Sequence, residues 1–98
     1  IGLYPPGTIV ELINGDVCLV LSSNYKYQHL PRVIRVLDEK KQRCKEAIIN
    51  LADIDTGKLG EEHFIRKAHT DGSFGLKMRE FRDKGLQFSY NSPPRKAV

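Results

Sequence analysis

The chain has 98 residues, of which 40% are hydrophobic and 29% charged, and its formal net charge is +4. This length and apolar content suit one small domain whose core does not need disulfide bonds or a bound metal for stability. No apolar run approaches the ~20 residues of a membrane span, so we expect no membrane partner. The two cysteines lack metal-ligand spacing, and we expect half-buried free thiols in a cytoplasmic protein.

The N-terminal residues 1–7 are predicted to be a linker from an upstream domain. Pro5 and Pro6 hold the backbone extended and cannot donate a ladder hydrogen bond. The chain begins with Ile1 rather than Met, and we therefore expect it to be part of a longer protein. We assign residues 1–90 to a single small β-barrel domain and residues 91–98 to a flexible tail.

A β-hairpin is predicted next, because two apolar-rich runs flank Asn14 and Gly15, a pair typical of two-residue type I′ turns. That turn places Leu12 opposite Val17. One face of the hairpin is then apolar and expected to be buried; it carries Val10, Leu12, Val17, Leu19 and Leu21. The other face is too apolar to be fully wetted, so we expect another element to cover part of it.

Two further strands are expected at residues 32–38 and 45–51, where apolar residues alternate with polar ones, and a short strand or extended arm at residues 63–69. Consecutive antiparallel hairpins that share a buried face favour a curled sheet. The predicted fold class is therefore mainly β: a small antiparallel, partly open barrel, SH3-like or OB-like, of four to five strands with one short C-terminal helix.

That helix is predicted from about Phe74 to residue 84. Ser73 can cap its start, and Gly85 stands where a left-handed stop is needed. Phe74 and Phe81 belong to one apolar stripe at helical spacing, which indicates a face packed on the sheet. Residues 88–90 are expected to add a last extended contact.

Charge along the chain is uneven, because residues 26–45 are strongly basic whereas residues 46–62 are acidic. Such a basic cluster is a candidate contact surface for phosphates. The alternative is that it forms the solvated face and turn of the second hairpin. The candidate basic contact surface consists of Arg32, Arg35, Lys40, Lys41, Arg43 and Lys45.

Aromatic residues in the predicted loop 22–31 offer a second candidate surface. Tyr25, Tyr27 and His29 lie near Lys26 and Arg32, and aromatic rings among basic side chains are typical of single-stranded nucleic-acid binding. The alternative is that these rings pack over one end of the barrel.

Sequence motifs of known catalytic mechanisms are absent: the chain contains no GxGxxG, GxxxxGK[ST], HExxH or GxSxG pattern. We therefore name no catalytic, cofactor-binding or metal-binding residue and expect no cofactor. The expected class is a binding or structural module rather than an enzyme.

A resemblance to a known family begins in the N-terminal segment, where Gly2 is followed by Tyr4-Pro5-Pro6-Gly7-Thr8 and then by the hairpin around Gly15. This pattern resembles the segment that follows the catalytic domain in bacterial HD-GYP proteins. The runs at 31–38 and 49–51, and the helix after Gly75, also resemble that tail. The resemblance covers most of residues 1–90.

This resemblance implies a parent protein that hydrolyses cyclic di-GMP with metal-bound water held by the histidines and aspartates of its HD and HD-GYP motifs. None of those motif residues lies in this chain. It implies a non-catalytic accessory or regulatory domain that contacts the catalytic domain of its own parent chain, or a dimer partner. The alternative from the composition is a nucleic-acid-binding SH3-like or OB-like module.

Overall fold

Five strands and one short helix make up the computed structural model, which describes residues 3–89. In chain order they are β1 (Ile9–Leu12), β2 (Val17–Ser22), β3 (Arg32–Leu37), β4 (Arg43–Asn50), β5 (Ile65–His69) and α1 (Met78–Asp83). They form one antiparallel sheet in the order β4-β3-β2-β1-β5. Strands β4 and β5 are its two edges, so the sheet is open. The predicted class, mainly β with a short C-terminal helix, is confirmed.

The connectivity is a meander from β1 to β4, after which β5 returns to pair with the free side of β1. A meander differs from the Greek key of the OB fold. Of the two barrel types expected from the sequence, the strand order therefore agrees with the SH3-like one. A 3-10 turn at Leu51–Ile54, capped by the Asn50 side chain, leads from β4 towards β5.

The first hairpin forms, but the predicted register was wrong by one residue. Glu11, rather than Leu12, lies opposite Val17. A type I′ turn needs a positive φ at both Asn14 and Gly15, and only Gly15 has one, at +95°. The loop instead has three residues and ends on this glycine, a common hairpin connection. The extra loop residue shifts the pairing.

Both faces of the sheet are covered, and the register shift divides the predicted apolar set between them. The helix-side cluster, under α1, contains Ile9, Val17, Leu19, Leu21, Ile34, Val36, Leu37, Leu76 and Phe81. The loop-side cluster, under the connections between strands, contains Val10, Leu12, Cys18, Val20, Leu30, Val33, Leu51 and Ile54. The expectation that a second element packs on the hairpin is thus confirmed, whereas the expectation of a single buried set was wrong.

The helix is shorter than predicted and begins at Met78. Phe74 has a φ of +57°, which is incompatible with an α-helix, and it lies in a separate 3-10 turn. The backbone N–H of Met78 donates to Oδ1 of Asp71 at 2.9 Å. The carboxylate of Asp71, rather than the side chain of Ser73, therefore accepts a hydrogen bond from the first turn of the helix. The predicted left-handed stop is confirmed at Gly85, whose φ is +93°.

The last described residues return to the sheet. The backbone N–H of Ser89 donates to the carbonyl of Leu21 at 2.9 Å, and Ser89 forms a parallel bridge with Ser22. Phe88 packs on the helix-side cluster. The predicted contact of Tyr90 and the predicted tail at 91–98 lie outside the described residues.

Candidate contact surfaces

The candidate basic surface includes side chains that form ion pairs and others that form none with residues 3–89. Three of its members form ion pairs: Lys41 with Glu11 at 3.0 Å, Arg35 with Asp16 at 3.6 Å and Arg43 with Glu80 at 2.9 Å. Lys40 and Lys45 are exposed, and Arg32 is half-buried at the start of β3. The structure therefore gives half of the predicted cluster an intramolecular role, because these cations connect the sheet to its turns and to α1.

Glu11 is the centre of a charged cluster that sequence reasoning missed. Its carboxylate is buried in β1 and lies 3.0 Å from Lys41, 3.2 Å from Arg66 and 3.1 Å from His69. The hydrogen bond from Lys41, more than the opposing effect of burial, lowers the pKa of Glu11 to about 2; His69 and Arg66 act in the same direction. The only sequence signal was one acid inside an otherwise apolar strand.

The geometry of the Glu11 cluster indicates a structural role. Arg66 and His69 belong to β5, and Lys41 belongs to the turn between β3 and β4. One carboxylate therefore connects β1 to the neighbouring strand β5 and to the turn between β3 and β4. With Lys41, Arg66 and His69 in contact and its pKa lowered to about 2, this carboxylate is a poor base at neutral pH.

The aromatic residues of the β2–β3 loop do not act as one group. Tyr27 packs on the loop-side cluster, and a hydrogen bond with Asp55 raises the pKa of its hydroxyl. Nζ of Lys26 lies 5.8 Å from the centroid of the same ring. Tyr25 is 90% exposed, and His29 is also exposed. The structure thus leaves Tyr25 and His29, but not Tyr27, open to a stacking partner.

The N-terminal segment is held tightly against the domain. The N–H of Gly7 donates to the carbonyl of Val20 at 2.8 Å, and Oγ1 of Thr8 donates to the carbonyl of Pro5 at 2.6 Å. Gly7 has a φ of +89°, and a Cβ added there would lie 1.9 Å from Sδ of Met78. Any other residue here would be strained by the positive φ and would require the Met78 side chain to move.

A cleft of about 530 Å³ lies between the helix-side face of the sheet and the segment after α1. Its sheet side comes from three adjacent strands, and none of the described residues that line it is an aspartate or a glutamate. The sequence analysis placed Arg32 in a candidate contact surface but did not include Arg82, because the two arginines are far apart in the chain. The lining includes Leu21, Arg32, Ile48, Arg82, Leu86 and Phe88.

Reactive and metal-binding groups are few in the part of the chain that the structure describes. Burial raises the pKa of the Cys18 thiol to about 12, so this cysteine is a poor nucleophile. Among residues 3–89, no group of three or more His, Cys, Asp or Glu side chains could hold a metal ion. None of the described helices is both long and apolar enough to cross a membrane.

These observations define a mainly β antiparallel domain with a buried ion-pair cluster and a cleft that combines arginines with apolar side chains. Comparisons with protein-family models, with curated proteins and with solved structures found no match. The resemblance to the HD-GYP tail therefore depends on the sequence segments quoted above.

Proposed function

We propose that this chain is a non-catalytic accessory or regulatory domain of a cytoplasmic bacterial signal-transduction protein of the HD-GYP cyclic di-GMP phosphodiesterase type. It contacts the catalytic domain of its own parent chain or a dimer partner. The Tyr4-Pro5-Pro6-Gly7-Thr8 segment and the hairpin that follows are the sequence support for this assignment.

The observation that carries the proposal is the anchoring of the N-terminal segment. Gly7 is bonded to β2 and lies against Met78 of α1, while Thr8 and Pro5 close a turn just before β1. A chain held in this way approaches the domain from a defined direction. An upstream catalytic domain would therefore have a defined orientation relative to the sheet, unlike one attached through a flexible tether.

The charged groups also favour a contact role over chemistry. The carboxylate of Glu11 is in contact with Lys41, Arg66 and His69, and the thiol of Cys18 is buried. A general base or nucleophile needs a pKa matched to its task and access to substrate. These two groups have neither property.

The gene upstream of this chain provides the first test. An HD pair followed by an HHExxDGxGYP-like run would support the proposal, and an upstream region without those motifs would contradict it. Hydrolysis of cyclic di-GMP by the parent is then measured with and without residues 3–89. We expect deletion to change turnover while the isolated 98-residue chain shows none. Unchanged turnover after deletion would argue against a regulatory role.

Nucleic-acid binding is the second candidate function, favoured by the 90% exposure of Tyr25 beside Lys26. A phosphate binder loses affinity steeply as salt rises, with a slope of about −0.7 per phosphate contacted on single strands. Fluorescence anisotropy with labelled RNA and DNA oligonucleotides measures this slope. A steep slope that Tyr25→Ala weakens would favour this function, and the absence of salt-dependent binding would exclude it.

A further inference from the structure

The cleft beside α1 combines two kinds of recognition surface. Arg32 and Arg82 line it from opposite sides, one on β3 and the other in α1. Within residues 3–89, no ion pair holds either guanidinium, and the residues that line the cleft include no aspartate or glutamate. Apolar side chains line the same cleft, including Leu86, Phe88 and Ile48, the last 57% exposed. Such a surface suits a partner that is partly anionic and partly apolar.

The cleft borders the outer edge of the sheet. Strand β4 pairs with β3 alone among the described strands, so its other edge presents main-chain donors and acceptors along eight residues. Ile48 lies opposite Ile34, whose side chain belongs to the helix-side cluster, and Ile48 therefore shares the face on which the cleft lies. An extended segment added to β4 would direct alternate side chains towards this cleft.

Charge helps to identify the occupant. The sequence that follows Ser89 carries Arg95 and Lys96 and, up to residue 98, no aspartate or glutamate. If this tail occupied the cleft, it would place further positive charge beside Arg32 and Arg82. Charge complementarity instead favours a segment with carboxylate side chains.

We propose that the cleft and the outer edge of β4 bind an extended acidic peptide segment of a partner protein. Its carboxylates pair with Arg32 and Arg82, and an apolar side chain contacts Ile48, Leu86 and Phe88. This inference rests on the proposed role as a contact domain, because it names a surface and a partner chemistry for that role.

A peptide library tests the inference directly on the 98-residue chain. Random strand-length peptides are selected on the wild-type domain and on the double variant Arg32→Glu/Arg82→Glu. We expect acidic peptides with an apolar residue to be enriched by the wild type and basic peptides by the double variant. This switch reports recognition, because a merely structural role of the arginines would not invert the charge of the ligand.

A matched control separates local pairing from net charge. Lys58→Glu/Lys67→Glu changes the net charge equally at two exposed positions outside the cleft. We expect the Kd of a selected acidic peptide to rise about tenfold or more in the arginine variant and to stay unchanged in the lysine variant. Melting curves verify folding, and Arg32→Ala/Arg82→Ala replaces the charge-reversed variant if the latter does not fold; a weaker Kd is again expected.

Several outcomes would overturn the inference: no enrichment, enrichment that ignores the charge reversal, or displacement of the peptide by inorganic phosphate alone at equal concentration, which would indicate a small-anion site. The two proposals fail separately. An upstream region without HD-GYP motifs, together with charge-switched peptide selection, would reject only the family assignment. If HD-GYP motifs lie upstream but no peptide is selected, only the proposal that the cleft binds an acidic peptide would be rejected.

Discussion

Nζ of Lys41, in the turn between β3 and β4, lies 3.0 Å from Oε2 of Glu11 in β1. The same ammonium donates to the carbonyl of Gly15, in the loop of the first hairpin. Lys41 also has a φ of +65°, which few non-glycine residues adopt. The contact therefore joins the two hairpins through a side chain on a strained turn, and it makes Glu11 the first position to test.

Glu11→Gln is expected to destabilise the domain by about 1–3 kcal/mol, because it removes a charged acceptor from a buried cluster and leaves Lys41 and His69 poorly paired. Urea denaturation of both proteins at neutral pH measures the difference. Glu46→Gln, at an exposed position on β4, is the matched control and should change stability by less than about 0.5 kcal/mol. Equal effects of the two substitutions would contradict the structural role of the cluster.

At low pH, the wild type should lose its greater stability relative to the Glu11→Gln variant. The cationic partners lower the pKa of Glu11 from the ordinary 4.5 to about 2, so the folded state holds the charged form more tightly than the unfolded state does. Its contribution is fully present above about pH 4.5 and is lost as the pH falls towards about 2. Urea denaturation between pH 7 and pH 2 should show the gap between wild type and Glu11→Gln closing in that window. A gap that stays constant would mean that the carboxylate is not ion-paired.

Gly7→Ala should destabilise the domain by about 2–4 kcal/mol, because the new Cβ meets Met78 and the residue keeps a positive φ. Gly57→Ala is a sharp control, since Gly57 also has a positive φ, of +78°, but has nothing within 4 Å of the added Cβ. We expect only about 1 kcal/mol there. Thermal melts compare the two, and similar losses would show that the N-terminal segment is not packed against α1.

Charges on either face of β2 should prevent folding. Leu19 and Cys18 are both fully buried, on the helix-side and loop-side clusters respectively. Leu19→Asp and Cys18→Asp each bury an unpaired charge, which is expected to abolish the cooperative melting transition seen by circular dichroism. Ile13→Asp, at an exposed loop position, should melt as the wild type does. A stable Cys18→Asp variant would refute the two-sided core.

Arg43→Ala should loosen α1 from the sheet. The guanidinium of Arg43 lies 2.9 Å from Glu80, and its Cζ lies 5.3 Å from the ring centroid of Phe81. Both interactions are partly exposed, so we expect a loss of about 1 kcal/mol. Chemical denaturation compares it with Lys45→Ala, which removes an exposed charge from the same strand. A larger loss of stability for Lys45→Ala than for Arg43→Ala would contradict the role assigned to Arg43.

Much of the local structure could be predicted from the sequence, because it depends on neighbouring residues. Alternating apolar residues marked the strands, and Gly85 ended the helix. Glu80 and Lys84, four residues apart in the chain, form an ion pair at 3.6 Å. The start of the helix could not be predicted, since Asp71 reaches the N–H of Met78 across a turn that the helical spacing does not reveal.

The sequence by itself determined the strand-rich class, the two consecutive hairpins and the uneven charge, because periodicity and turn chemistry act over a few residues. Only the tertiary structure decided the register of the first hairpin, since one extra loop residue exchanges the faces. It also decided which basic side chains form intramolecular ion pairs and that Arg32 and Arg82 line the same cleft. The ion pairs and the cleft depend on contacts between residues distant in sequence, for which the local pattern carries no signal.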